Sequence, residues 1–141
     1  MIAQKIITES TATTKDLIDD ISRTLLNLKN VSPTTKTCLP TLDGSIFIRV
    51  SDISHFKSED IYCRLITREG NSHFITKPLK WVEHKLFKYG FYRIHKSYFI
   101  NILNIGQYCR KEGGYLMMDS GKSVPISRSK KCQLQQLLEE L

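Results

Sequence analysis

Between Thr14 and Leu28 the apolar residues Ile18, Ile21, Leu25 and Leu28 recur at spacings of three, four and three. That spacing lines them on one face of a helix. Asp19, Asp20, Arg23 and Asn27 occupy its other faces. Thr14 stands where a helix cap is needed, and Asp16 falls in the first turn, where a carboxylate suits the positive end of the helix dipole. A stripe of about two heptads rarely holds a coiled coil in water. Docking on the chain's own domain therefore stands beside pairing with the same helix of a second chain. Residues 1–13 are polar and Thr-rich, and are expected to be loosely ordered. Residues 30–44 read as a linker, because Asn30, Ser32, Pro33, Pro40, Asp43 and Gly44 interrupt any periodicity.

Beyond Gly44 the period shortens to two. Ile46, Ile48 and Val50 alternate with Phe47 and Arg49, and Ile61, Cys63 and Leu65 alternate with Tyr62, Arg64 and Ile66. Glu69-Gly70-Asn71 makes a hairpin turn into a return strand through His73, Phe74 and Ile75. Pro78 suits the first turn of a short helix carrying Leu79, Trp81, Val82 and Leu86 and ending before Gly90. Further strands are predicted through Tyr98, Phe99 and Ile100, in a hairpin from Gln107 to Met118 turning at Glu112-Gly113-Gly114, and from Val124 to Ile126. Ser127 can cap a last helix whose apolar face is Leu134, Leu137, Leu138 and Leu141. The pattern predicts a mainly β (α+β) domain over 44–141, built of small antiparallel sheets with short helices. An amphipathic helix and linker precede it in 1–43. No two helical patterns are joined by a tight turn, which argues against a helix-turn-helix.

Charge adds a direction. Residues 1–43 are balanced, with five basic and five acidic side chains, so the net charge of +7 lies wholly in the remainder. From Lys85 to Lys131 ten basic residues face only Glu112 and Asp119. Such an imbalance favours a polyanionic partner. Catalytic chemistry has no matching signal. His55, His73, His84 and His95 lack the spacing of a metal-binding helix, and no nucleophile elbow or phosphate-cradling glycine loop is present. The reading is therefore a non-enzyme without cofactor or metal. Cys38, Cys63, Cys109 and Cys132 form no Cys-x-x-Cys pair, and no apolar run suits a signal peptide or a membrane span. Reduced thiols in a cytoplasm are expected.

Two segments concentrate candidate chemistry. Phe91 to Asn104 is rich in aromatic and β-branched residues and demands a buried strand, yet Arg93, His95, Lys96 and Ser97 crowd donors at its start. A strand beginning at a loop tip can aim such donors at phosphate oxygens or base edges, and simple solvation explains them equally well. The second segment runs from Ser123 to Lys131. A helix starting at Ser127 gathers free backbone N–H groups with Arg128, Lys130 and Lys131. Cations there oppose the helix dipole, which favours a functional reason over a merely charged first turn. Arg128 can pair bidentately with guanine, whereas Lys130 and Lys131 act better as phosphate contacts, and Ser129 between them is a further DNA-binding candidate. Tyr92 and Tyr98 leave some room for RNA stacking.

With Arg93-Ile-His-Lys-Ser-Tyr-Phe-Ile-Asn101 and Val124-Pro-Ile-Ser-Arg-Ser129 in view, residues 44–141 resemble the LytTR family of bacterial DNA-binding domains. Ile53-Ser-His-Phe-Lys-Ser58, Tyr62, Gly70 and Leu79-Lys-Trp-Val-Glu-His-Lys-Leu86 follow the same order. The resemblance implies an elongated array of small sheets that binds duplex DNA from one side, with loops entering successive major grooves. Carried over by position, Lys96 and Arg128 are contacts, and a third contact region falls between Ser58 and Arg64, with Tyr62 at its strand start. Relatives often carry Arg where Lys96 stands; an ammonium group favours phosphate over guanine. Glu59 and Asp60 in the third region repel phosphate unless they accept from a cytosine amine. The 43 residues upstream are too few for the receiver domain of about 120 residues common among relatives, so phosphorylation control within the chain is not expected. The implied function is a sequence-specific transcriptional regulator, a homodimer or paired on repeated sites. The rival reading is a protein-interaction adaptor in which the N-terminal helix recruits a regulatory partner and DNA binding is secondary.

Overall fold

The computed structural model describes residues 22–28 and 32–141. Helix α1 (22–28) is the part of the amphipathic stripe within that range; Thr14, Asp16, Ile18 and Ile21 lie outside the described residues. Then follow β1 (Lys36–Thr41), β2 (Gly44–Arg49), β3 (Ile53–Glu59), β4 (Tyr62–Thr67), β5 (Ser72–Ile75), α2 (Leu79–Leu86), β6 (Phe91–His95), β7 (Tyr98–Asn101), β8 (Ile105–Cys109), β9 (Tyr115–Met118), β10 (Ser123–Pro125) and α3 (Lys131–Glu139). All strand pairs are antiparallel. A central five-stranded sheet has the order β5-β4-β3-β7-β6, flanked by the hairpin β1-β2 and the three-stranded sheet β10-β9-β8.

Alternation along the central strands supplies two cores, one on each face. Phe56, Cys63, Leu65, Ile75, Phe91 and Phe99 point to one face, where Leu39 of β1 and Leu79, Val82 and Leu86 of α2 cover them. Phe91 and Phe99 stack with centroids 5.3 Å apart, and Phe56 lies 6.2 Å from each. Burying each ring contributes roughly 1.5–3 kcal/mol. Their neighbours Tyr92, Ile94 and Ile100 point the other way, into a core closed by Leu116, Met118 and Val124 of the small sheet and by Leu134 and Leu137 of α3. Leu25 and Leu28 of α1 pack on this second core. Asn27 Nδ2 donates to the Phe87 carbonyl at 2.9 Å, and a Cβ built on Gly90 would meet Leu28 Cδ2 at 2.4 Å. The described part of the stripe thus docks on its own domain.

Three readings change. Residues 36–41 are not linker but a strand paired with β2, from Lys36↔Arg49 to Thr41↔Gly44. Pro40 needs no donor there, and its carbonyl accepts from Thr76 N at 3.1 Å, so Pro40 is tolerated at a strand edge. The buried strand expected in Phe91–Asn104 is two strands, β6 and β7, folded back at Lys96-Ser97 with a bulge between Arg93 and His95. The last helix starts later: Ser127 is extended, a single 3₁₀ turn covers Arg128–Lys130, and α3 begins at Lys131. Leu141 lies beyond α3 and is exposed, outside the apolar face assigned to it. Among the described residues no helix is long and apolar enough to cross a membrane.

Candidate nucleic-acid interface

The antiparallel order brings three turns to one end of the central sheet. β3 ends and β4 begins around Asp60-Ile61, and β6 ends and β7 begins around Lys96-Ser97. Ser58 N donates to Ser97 O at 2.8 Å, which fastens the first turn to the second. Ser127 N donates to Ile94 O at 3.1 Å, which fastens the 127–130 turn beside them. Two cations 32 residues apart in sequence are thereby held at one edge: Arg128 follows the residue that makes this bond, and Lys96 lies two beyond its acceptor. Both side chains are exposed. The ion pairs among the described residues, Glu59–Arg64 and Glu83–Arg93, involve neither.

The other donors of the Arg93 block build the turn. Arg93 Nε donates to His95 O at 3.0 Å, Nη2 donates to Lys96 O, and Nη1 pairs with Glu83 Oε1 of α2 at 2.7 Å. One guanidinium thus ties the two turn carbonyls to a helix, using the planar fork that a lysine lacks. His95 Nδ1 accepts from Ser97 N at 3.1 Å, and its ring meets Tyr98 edge-on with centroids 5.6 Å apart. Asn101 is buried, donating to Val50 O at 3.1 Å and Ile53 O at 2.9 Å while accepting from Leu103 N. Arg93, His95, Ser97 and Asn101 of this block therefore each satisfy backbone groups or brace the turn, and Lys96 alone extends from it as a free cation.

The first turn carries less positive charge than its sequence suggests. Arg64 embraces Glu59 through Nε at 2.7 Å and Nη2 at 3.1 Å, and its guanidinium lies 5.6 Å from the Phe74 ring centre. The hydrogen bond from Arg64 holds the Glu59 carboxyl below its ordinary range, and the same bond raises Arg64. Tyr62 packs edge-on against Phe74 at 5.6 Å. Of the two acids expected to repel phosphate, Glu59 is thus already neutralised by the arginine expected to attract it, whereas Asp60 stays exposed. In the third turn Lys130 Nζ folds to 5.5 Å from the Tyr92 ring centre, and the Ser127 and Ser129 hydroxyls lie 3.4 Å apart. Ser127 makes no side-chain cap bond, so the expected helix N-terminus is not formed at this residue. Tyr92 is buried and cannot stack on a base.

Sequence reading missed Lys57 and Lys122. They face an open groove of about 380 Å³ between the central and three-stranded sheets, with His55, Tyr98 and Ser123 in its lining. His55 is buried and its pKa falls to about 4, first through burial and then through the charges of Lys122 and Lys57. Its Nδ1 lies 2.9 Å from Ser54 Oγ. Strand alternation puts His55 and Lys57 on one face, a signal present in the sequence; that Lys122 arrives opposite them depends on the third sheet.

Residues 43–139 match the family model described as the LytTr DNA-binding domain. The chain is 30% identical over 95 residues to the CO-responsive transcriptional regulator RcoM of Rhodospirillum rubrum, a match covering 65% of this chain and 40% of that protein. It thus spans about two fifths of that relative's length. Among solved structures, the LytTr DNA-binding domain of a putative methyl-accepting/DNA response regulator from Bacillus cereus superposes with a TM-score of 0.63 at 26% identity, covering 74% of this chain and 97% of that one.

Proposed function

Since the chain belongs to the LytTR family of DNA-binding domains, we propose that it binds double-stranded DNA sequence-specifically through the turns at one end of the central sheet, and regulates transcription in a bacterium. The turns enter the major groove. The observation that carries the reading is the placement of two exposed, unpaired cations, Lys96 and Arg128, on turns fastened together through Ser127 N and Ile94 O. Arg128 reads a guanine edge with its fork, and Lys96 holds a phosphate. Ser129 adds a hydroxyl donor beside Arg128. Arg93, His95 and Ser97 position Lys96, while Ser58 and Arg64 brace the neighbouring turn and leave Tyr62 at its flank. Lys130, laid over Tyr92, shapes the third turn.

The domain needs no cofactor for this, and binding two repeated sites would place two copies on one duplex. Docking of Leu25 and Leu28 on the domain favours a supporting role for α1 over partner capture by those residues. Selection of bound duplexes from a random pool, followed by affinity measurement across salt concentrations, tests the reading. The expected result is one enriched motif and an affinity falling steeply with salt, as phosphates shed counterions. An unenriched pool, or affinity indifferent to salt, overturns it.

A further inference from the structure

The turn joining β3 and β4 holds a large apolar side chain in the open. Glu59 pairs with Tyr62, so Asp60 and Ile61 form a two-residue hairpin turn. Turns of this length favour Gly, Asn or Asp, whose small or self-bonding side chains tolerate the tight backbone. Asp60 meets that demand, with φ at 53°. Ile61 lies outside the left-handed region and needs no such tolerance, yet it is a large apolar side chain that stands 71% exposed. Isolated surface hydrophobics are ordinary, but this one stands at the tip of a turn fastened to the Lys96 turn through Ser58 N and Ser97 O. An apolar side chain held uncovered on such a fastened tip is placed to meet a partner surface.

The surrounding charges define what such a tip can read. Arg64 and Glu59 pair beside it, Asp60 leaves an exposed carboxylate next to Ile61, and Lys57 behind it lies 6.0 Å from the Tyr98 ring centre. The tip therefore presents an apolar side chain beside a carboxylate, in place of a free cation. On the major-groove floor the one apolar feature is the C5-methyl of thymine. We propose that Ile61 is a specificity-determining residue, packing against a thymine methyl in the site whose guanine Arg128 reads. The inference rests on the proposed DNA-binding function and adds a base class to it.

Deoxyuridine tests this without altering any hydrogen-bonding group, because it differs from thymidine only by that methyl. Each thymine of the selected duplex is replaced singly, and affinities are compared for the wild-type chain, Ile61→Ala, Ile61→Val and Arg128→Ala. Loss of one buried methyl corresponds to about a fourfold loss of affinity. The expected pattern is such a loss at one or two thymines for the wild type, for Ile61→Val and for Arg128→Ala, and none at those positions for Ile61→Ala. Because Ile61 is exposed, Ile61→Ala is expected to melt with the wild type, which separates lost contact from lost fold. Undiminished deoxyuridine sensitivity in Ile61→Ala overturns the proposal, as does a wild-type chain that ignores every replacement. Both outcomes leave selective duplex binding standing; failure to select any duplex removes that reading as well.

Discussion

Arg93 can be a phosphate contact or the brace of the turn that carries Lys96, and its partner Glu83 separates the two. Arg93 donates to two turn carbonyls and to a carboxylate on α2. Its side chain is 26% exposed and that of Glu83 is 36% exposed. At that exposure the ion pair itself contributes about 0.5–1 kcal/mol. Each charge-assisted bond to a turn carbonyl adds about 1 kcal/mol after solvent screening. Arg93→Ala is therefore expected to cost about 2–3 kcal/mol, lowering the melting temperature by roughly 10 °C for a domain of this size. Glu83→Gln is expected to cost about 1 kcal/mol, because the bonds to the turn remain. DNA affinity carries the sharper sign. If Arg93 is a brace, Glu83→Gln loosens the Lys96 turn and weakens binding about two- to fivefold on every duplex. If Arg93 is a contact held back by Glu83, removing the carboxylate frees a cation, and binding tightens with a steeper salt dependence. Thermal melting with fluorescence anisotropy at three or more salt concentrations measures both quantities. Tighter binding by Glu83→Gln, or an Arg93→Ala protein as stable as the wild type, refutes the bracing role.

Further outcomes follow from the same geometry. Arg128→Ala should relax discrimination at one base pair by about 1–3 kcal/mol; equal losses on specific and scrambled duplexes in anisotropy titrations would contradict its assignment. Lys96→Ala should weaken all duplexes alike and reduce the slope of log affinity against log salt by about one, and an unchanged slope would remove Lys96 as a phosphate contact. His55 is neutral in the fold down to about pH 4, whereas in the unfolded chain it takes a proton below about 6.5. Its contribution to stability is therefore constant above pH 6.5 and declines as pH falls from 6.5 towards 4, by up to about 3 kcal/mol. Denaturant titrations at pH 7 and pH 5 should show a smaller decline in His55→Gln, and an identical decline would exclude the ring as its source. Gly90 has φ at 85° and Leu28 presses on it, so Gly90→Ala should cost roughly 1–3 kcal/mol and expose residues 22–28 to protease; unaltered cleavage would argue against docking of α1 there.

Much of this protein is determined by short-range pattern. The two-residue period of β2 and β4, the turns at Gly70 and Gly113, and the Leu79, Val82, Leu86 face were legible because each element's apolar side is fixed by its own residues, whereas β3 was not read. So was the concentration of cations near Lys96 and Arg128. Pairing was not legible. β1 escaped notice because Pro40 and Gly44 look like breakers, and only the sheet shows that Pro40 sits where no donor is required. Arg93, Arg64 and Lys130 carry the same charge in the sequence as Lys96 and Arg128. What divides them is which carboxylate, carbonyl or ring the fold brings within about 3–6 Å, and interactions of that range between distant residues exist only once the strands have been ordered. Residue type set the supply of charge at this edge, while tertiary contacts decided which cations are engaged by neighbouring groups and which stand exposed outside any ion pair.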